Sequence, residues 1–592
     1  MKFTISSLLI FFLLVYSSAV SAQQVIIPSP SSDTVRVIRI IQGKSLRMKT
    51  IDANTVLETI AGNVIIKEGL TTFYCDSATI NRKTNIVEAY GNIHINDNDS
   101  IHTYAEYLRY VGNERMAYLK KNVRLTDRKG TLLTDELEYN LATGIATYKN
   151  GGKITNQGTV LTSREGVYYS DTKDVYFKRD VYLKDSARDI YADSLLYNLK
   201  TNIANFISPT QIIGKDGSVI NTKSGTYNLA TGEAIFFDRS YYSDSTTSLA
   251  ADKMAWDRNS GAFQLQGNAK MVDSISQVIV LGGEILGNSK MKSFLATRRS
   301  VMIFYKDNDS TYVTADTLYS GLRRYDSTER KIVMQTDTLT TTTSMVITDT
   351  TETPLFVFDS LENSLVATDT LKTSLAAKDS SEILLAEKDT LKTPLIVNIN
   401  ASDTTIRYFL AFHHVRIFND SLQAVSDSLH YSTSDSTFKL FGEPVVWNDK
   451  SQVTGDTIYM YTENRKPKRL YVFNNGIIIN KATEGLYNQI AGRTLNGYFV
   501  NGNIDYVRVK GSPAESVFYP QDDDSAYVGM NRSSGDVIDI YFVKKELNKV
   551  KFVNNVDGIL YPIRQIPADK KELKNFKWLD NRRPKNKLEL FE

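Results

Sequence analysis

Apolar and polar positions alternate with a period of two along most of this chain, and the alternation itself recurs. The segments "GNVIIKE" from Gly62, "GNIHIND" from Gly91, "KNVRLTD" from Lys121, "RDVYLKD" from Arg179 and "GNAKMVD" from Gly267 share one pattern. In them Val64 and Ile66, Ile93 and Ile95, Val123 and Leu125, Val181 and Leu183, and Ala269 and Met271 fall on one face. Lys67, His94 and Arg124 fall on the other. Successive side chains of a strand point to opposite faces, so each segment predicts a half-buried strand, apolar within and wet without.

A second kind of segment lies between these. Examples are "YCDSATINRKTN" at 74–85, "LTDELEYNLATG" at 133–144, "YADSLLYNLKTN" at 191–202 and "NTKSGTYNLATG" at 221–232. One position in them is filled by Asp76, Glu106, Asp135, Arg164, Asp193, Lys223 and Asp252, in steps of 29 or 30 residues. Self-similarity at a fixed spacing signals a repeat architecture, here a strand pair of about 29 residues. The hexamer "YNLATG", present at 139–144 and 227–232, predicts the hairpin of that unit. Asn and Thr favour the turn and Gly closes it with a positive φ. The recurring acid shares strand parity with the apolar residues, which predicts a corner or bulge where the carboxylate accepts backbone N–H groups. One catalytic acid per repeat would make little chemical sense.

The pattern weakens after residue 283 and gives way over 335–402 to a Ser/Thr/Asp/Leu tract with its own period of ten, marked by Asp349, Asp359, Asp369, Asp379 and Asp389. Such polar repeats bury too little surface to fold alone, so the tract reads as an insertion. The 29-residue spacing then returns, with Asp427 and Asp456 again 29 apart. The expected organisation is a signal peptide over 1–22, a linker over 23–45 and a first array over 46–334. The insertion over 335–402, a second and weaker array over 403–545 and a basic tail over 546–592 follow. The tail reads either as a docking element or as a solvated end.

Composition narrows the function. At 592 residues the chain exceeds what one compact core supports. Lys and Arg total 70 against 67 Asp and Glu, a balance that predicts no nucleic-acid partner. Lys2, the apolar run from Leu8 to Val15 and Val20-Ser21-Ala22 predict export. Cys75 is the only cysteine, so no internal disulfide framework exists. The five histidines have no metal-ligand spacing, "NDNDS" at 96–100 lacks the Gly and distal Glu of a calcium loop, and neither a phosphate loop nor a nucleophile elbow occurs. An enzyme, a metal and a cofactor are therefore not expected. Charged residues at the outward positions also disfavour a lipid-facing membrane barrel.

Taken together, "GNV-x-I" strands alternating with "D-x-L-x-Y-[ND]-x-x-T-[GN]-x-A" strands resemble the OstA-like proteins, the family of periplasmic lipopolysaccharide-transport bridges that includes LptA and the N-terminal domain of LptD. The best matches are 62–95, 122–144 and 180–232. The resemblance implies an all-β, repetitive open β-jellyroll whose apolar interior shields the lipid A acyl chains of lipopolysaccharide between inner and outer membrane. It also implies partners in both membranes with similar β-jellyroll edges, head-to-tail self-association and a location in the periplasm of a Gram-negative cell, in association with the outer membrane. Carried over position by position, the lipid-facing candidates are Val64, Ile66, Ile93, Ile95, Val123, Leu125, Val181 and Leu183. The competing expectation is a secreted or surface β-solenoid for binding or adhesion, in which those same residues fill a closed core.

Overall fold

The structure, a computed structural model, describes residues 37–324 and 405–591 apart from 53–54, 307–308, 464–465, 502 and 544–545. The expected signal peptide and the 335–402 tract lie outside the described residues. One compact unit comprises the described residues up to Leu322 and from Arg407 onward. The second, Arg323–Ile406, falls almost wholly outside the described residues.

Among the described residues there is no α-helix, and 38 strands pair antiparallel into one sheet. The fold class is all-β and repetitive. Long strands pair with the next in sequence, as Thr71–Asn81 with Ile86–Asp97, Ile86–Asp97 with Ile101–Val111, and Ile101–Val111 with Met116–Thr126, and where a strand is split at its middle both halves pair with the same neighbour, as Ile145–Tyr148 and Gly152–Asn156 with Gly130–Asn140. Regular pairing continues through Val278–Asn288 and Ser293–Lys306, where the sequence pattern had weakened. It also continues through Glu546–Val553 and Asp557–Pro562, beyond the boundary expected at 545.

The hairpins form where "YNLATG" predicted them. Strand Gly130–Asn140 ends at Asn140, whose side-chain oxygen accepts the Ala142 and Thr143 N–H groups at 2.9 and 3.0 Å. Gly144 closes the turn at φ +65°, a conformation that L side chains adopt only with strain. Asn228 holds Ala230 and Thr231 in the same way.

Every long strand also bends at its middle. Two consecutive residues take left-handed φ at Gly62-Asn63, Gly91-Asn92, Lys121-Asn122, Arg179-Asp180, Gly267-Asn268, Arg298-Arg299, His413-His414 and Asn474-Asn475. The ladder register shifts there, between Ala61 and Val64 for the first of them. On the neighbouring strand sits the recurring acid, and buried parity changes across it. In Thr71–Asn81, residues 71, 73 and 75 are buried and then 78 and 80. The carboxylate of Asp76 therefore faces out, although it shares parity with apolar neighbours on a straight-strand reading. A corner was expected at the acid with backbone N–H groups as its donors, but the donors are side chains. Asn92 Nδ2 donates to Asp76 at 2.9 Å, Asn122 to Glu106 at 2.5 Å, Asn268 to Asp252 at 2.7 Å and Asn475 to Asp456 at 3.1 Å. Where Arg164 takes the acid position, Asp180 takes the Asn position, and the pair meets at 2.5 Å with its charges exchanged.

The corner divides each strand into two arms, and the inward residues of both arms join one apolar cluster running from Ile38 to Ile540. That cluster spans both arrays. They meet where the Tyr319 and Tyr408 rings lie 5.8 Å apart and Asn419 donates to Thr311 at 3.4 Å.

The basic tail lies against the second array. Gln489 donates to the Lys571 carbonyl and accepts from Leu573 N–H, both at 2.8 Å. Gln452 does the same with Lys577 and Leu579, both at 2.7 Å, and Arg583 donates to Gln423 at 2.8 Å. Leu573 packs on Ile477, Ile479, Val517 and Met530, and Leu579 on Val425, Val445 and Trp447. The tail thus covers the outer face of an arm whose strands, such as "PVVW" and "GIII", are apolar on both sides.

Candidate functional site: the interior and its rim

All eight candidate residues are buried. Ile95 and Leu183 are wholly buried, and Val64, Ile66, Ile93, Val123, Leu125 and Val181 are no more than 3% exposed. They lie in one cluster with residues of the opposite arm, among them Leu108, Leu119 and Leu137. Arg124, between Val123 and Leu125, points out and lies 4.2 Å above the Tyr104 ring. Each inward aliphatic withdrawn from water contributes about 1.5–3 kcal/mol, so the interior is the main source of stability.

The free edges of the two arms meet along a rim that the alternation did not reveal. Tyr139, near the tip of one arm, donates from its hydroxyl to Asp97 at the tip of the other, at 3.0 Å. Tyr168 donates to Asp127 at 2.5 Å and Tyr110 to Glu68. The Tyr227 hydroxyl reaches Asp185 at 3.5 Å, and where Asn156 replaces the acid its amide donates to Tyr197 at 3.3 Å. The sequence separations are 42, 41, 42, 42 and 41 residues, about one and a half repeats. Both partners were visible in the repeated segments, as the Tyr of "YNLATG" and the Asp ending "GNIHIND". Their pairing was not, because it crosses from one arm to the other.

These contacts are set in a dry environment. Burial first, then the Asp97 charge and hydrogen bond, push the Tyr139 phenol far above its ordinary range. Tyr168 and Tyr110 are raised by burial and by their acids in the same way. For Asp127, burial acts to raise the carboxyl. The Tyr168 hydroxyl, the Gly130 N–H and the Lys173 ammonium, 3.0 Å away, outweigh it and hold the group below the usual carboxylate range. The rim is therefore a row of charge-assisted hydrogen bonds joining two arms.

At its ends the interior is uncovered. Strand Ser45–Asp52 pairs with Thr55–Glu68, and all its side chains are exposed. Leu46, opposite the buried Ile60, is 53% exposed, and Met48 is 63% exposed. At the other end Val550, opposite Ile540, is also exposed. Such apolar edge strands present unpaired backbone groups to a further strand.

Among the described residues no group of three or more His, Cys, Asp or Glu is placed to hold a metal ion, and no helix is long and apolar enough to cross a membrane.

A family model described as OstA-like protein matches residues 36–193 and 178–252. Solved structures that match include LptH from Pseudomonas aeruginosa, described as the LptA homologous periplasmic component of the conserved lipopolysaccharide transport device. The identity is 14%, over 30% of this chain and 85% of that one, with a TM-score of 0.09. So low a superposition score leaves the fold to rest on the strand pairing described above. No curated protein matches the chain.

Proposed function

We propose that this protein, whose residues 36–252 match the OstA-like family model, carries lipopolysaccharide through the periplasm toward the outer membrane. The acyl chains travel along the interior, lined by Val64, Ile66, Ile93, Ile95, Val123, Leu125, Val181 and Leu183. The observation that carries this reading is the single apolar cluster from Ile38 to Ile540, uncovered at the exposed strand Ser45–Asp52. A compact ligand needs one pocket, whereas a continuous interior of repeated units offers a sliding chain similar affinity at every step. No residue need perform chemistry, and a partner machine upstream supplies the energy.

Because the candidates are buried, acyl chains enter by parting the arms and breaking the rim bonds beside them. The edge strands at both ends suit pairing with similar β-jellyroll edges, in membrane-bound partners or in a second copy head to tail.

Two observations favour the alternative, a β-solenoid binding module with a packed core: the latched rim and the near-complete burial of all eight candidates. In-cell photo-crosslinking decides between them. With the probe at Val123 or Leu125, lipopolysaccharide adducts are expected, and with the probe at Arg124 none. Absence of adducts at all three positions in folded protein would overturn the transport reading.

A further inference from the structure

The outer face of one arm holds a cleft that the interior path does not use. Strand pairing lines up one outward side chain from each of five strands. Tyr182 lies opposite Tyr191, Tyr191 opposite Gln211, Gln211 opposite Asn221 and Asn221 opposite Tyr241. The row falls from rings to short amides and rises to a ring again. The result is an open cleft of about 640 Å³ whose floor includes Thr210 and Thr222. From Tyr191 to Tyr241 is three strand spacings, roughly 14 Å.

Its two ring walls are held in place yet exposed, Tyr191 by 45% and Tyr241 by 52%. Tyr191 stacks on Tyr182 at 5.1 Å, and the Tyr182 hydroxyl is fixed on Asp189 at 2.9 Å. The Arg239 guanidinium lies 5.7 Å from the Tyr241 ring. Two of the charges at the rim of the cleft are neutralised locally: Arg239 pairs with Asp252 at 2.8 Å and Asp180 with Arg164 at 2.5 Å. On the floor Gln211 donates to Asn221 at 3.2 Å, and the rest of both amides faces the solvent.

Exposed aromatic faces and in-plane amide donors and acceptors favour a polyhydroxylated ligand with an apolar C–H face, and with Arg239 and Asp180 paired the remaining charge of the lining is the Lys223 ammonium, a donor to hydroxyls. A sugar ring has that chemistry. Its C–H face stacks on a phenol ring, and adjacent hydroxyls bridge an amide. We propose that this cleft binds a short neutral oligosaccharide lying across the strands between Tyr191 and Tyr241. The site is outside the arms, so its failure would leave the lipid reading untouched.

The test is titration calorimetry of the full chain with chitotetraose, maltotetraose, cellotetraose and a neutral hexapeptide. Saturable binding of at least one saccharide is expected, in the millimolar range or tighter as suits an open site. Tyr241→Ala and Gln211→Ala should each weaken it roughly tenfold. Tyr104→Ala, on the same face outside the cleft, should leave it unchanged. No saturable saccharide binding, binding indifferent to Tyr241→Ala in folded protein, or capture of the hexapeptide alone would each overturn the proposal.

Discussion

At the scale of single residues, the rim tyrosines and their acids are where a small change has the clearest consequence. Tyr139→Phe removes one hydroxyl and leaves Asp97 with its remaining bond from Thr71 at 2.8 Å, so a loss of about 1 kcal/mol in the denaturant unfolding of the first array is expected. Asp97→Ala strands the buried Tyr139 hydroxyl and should cost more, about 1–3 kcal/mol. Asp127 adds a pH dependence. Its folded carboxyl titrates below the unfolded value of about 3.9. The stability it contributes is therefore present above that unfolded value and is lost as the pH falls through the folded one. Tyr168→Phe should reduce stability at neutral pH, and the gap between variant and parent should close on acidification. Cys75 can report the opening itself. Burial, with the Asp76 charge behind it, pushes its thiol up to about 12, so it should resist an aromatic disulfide reagent in the folded protein. Tyr110→Phe, which frees Glu68 one residue from the same arm tip's hairpin, should speed that labelling if the arms part.

At the scale of the element, corner and strap carry different parts of the fold. Asn92 holds φ +44° while its amide reaches Asp76. Asn92→Val places a β-branched residue in that left-handed position and should destabilise by roughly 1–2 kcal/mol, whereas Asn92→Gly should be nearly neutral. Both follow from comparison of unfolding midpoints. The tail acts chiefly on the second array, and at its end the Leu590 carbonyl accepts from Thr314 of the first at 3.2 Å. Leu573→Ala should cost about 2–5 kcal/mol there, and truncation after Pro562 should expose Val425, Trp447 and Ile477 to an apolar dye. The first array, coupled to Leu573 only through nearest neighbours, should keep its midpoint in Leu573→Ala. Strands and hairpins were legible in the sequence because alternation and turn chemistry are local. The corner was half legible: the recurring acid marked it, but the left-handed pair opposite was hidden in "GN" and lost where Lys121 or Arg298 replaces Gly.

At the scale of the molecule, the sheet is a one-dimensional object whose stability is uneven along its length. Hydrogen exchange should be slowest in mid-array strands such as Met116–Thr126 and fastest in the edge strand Ser45–Asp52, which has one paired neighbour and no buried side chain. Period and alternation alone determined an all-β repeat of about 29 residues, the inward parity of Val123 and Leu125, and the hairpin at each "YNLATG". Those features depend on contacts between residues that are neighbours along one strand or across one turn. Only the tertiary structure decided that the arms close on each other, since Tyr139 and Asp97 meet from 42 residues apart. It alone placed Lys577 and Leu579 on Gln452, more than 120 residues away, and aligned Tyr191, Gln211, Asn221 and Tyr241 into one row. A period of two tells each side chain which face it takes; which strand it then meets is settled by the register of the sheet and the fold of the corners.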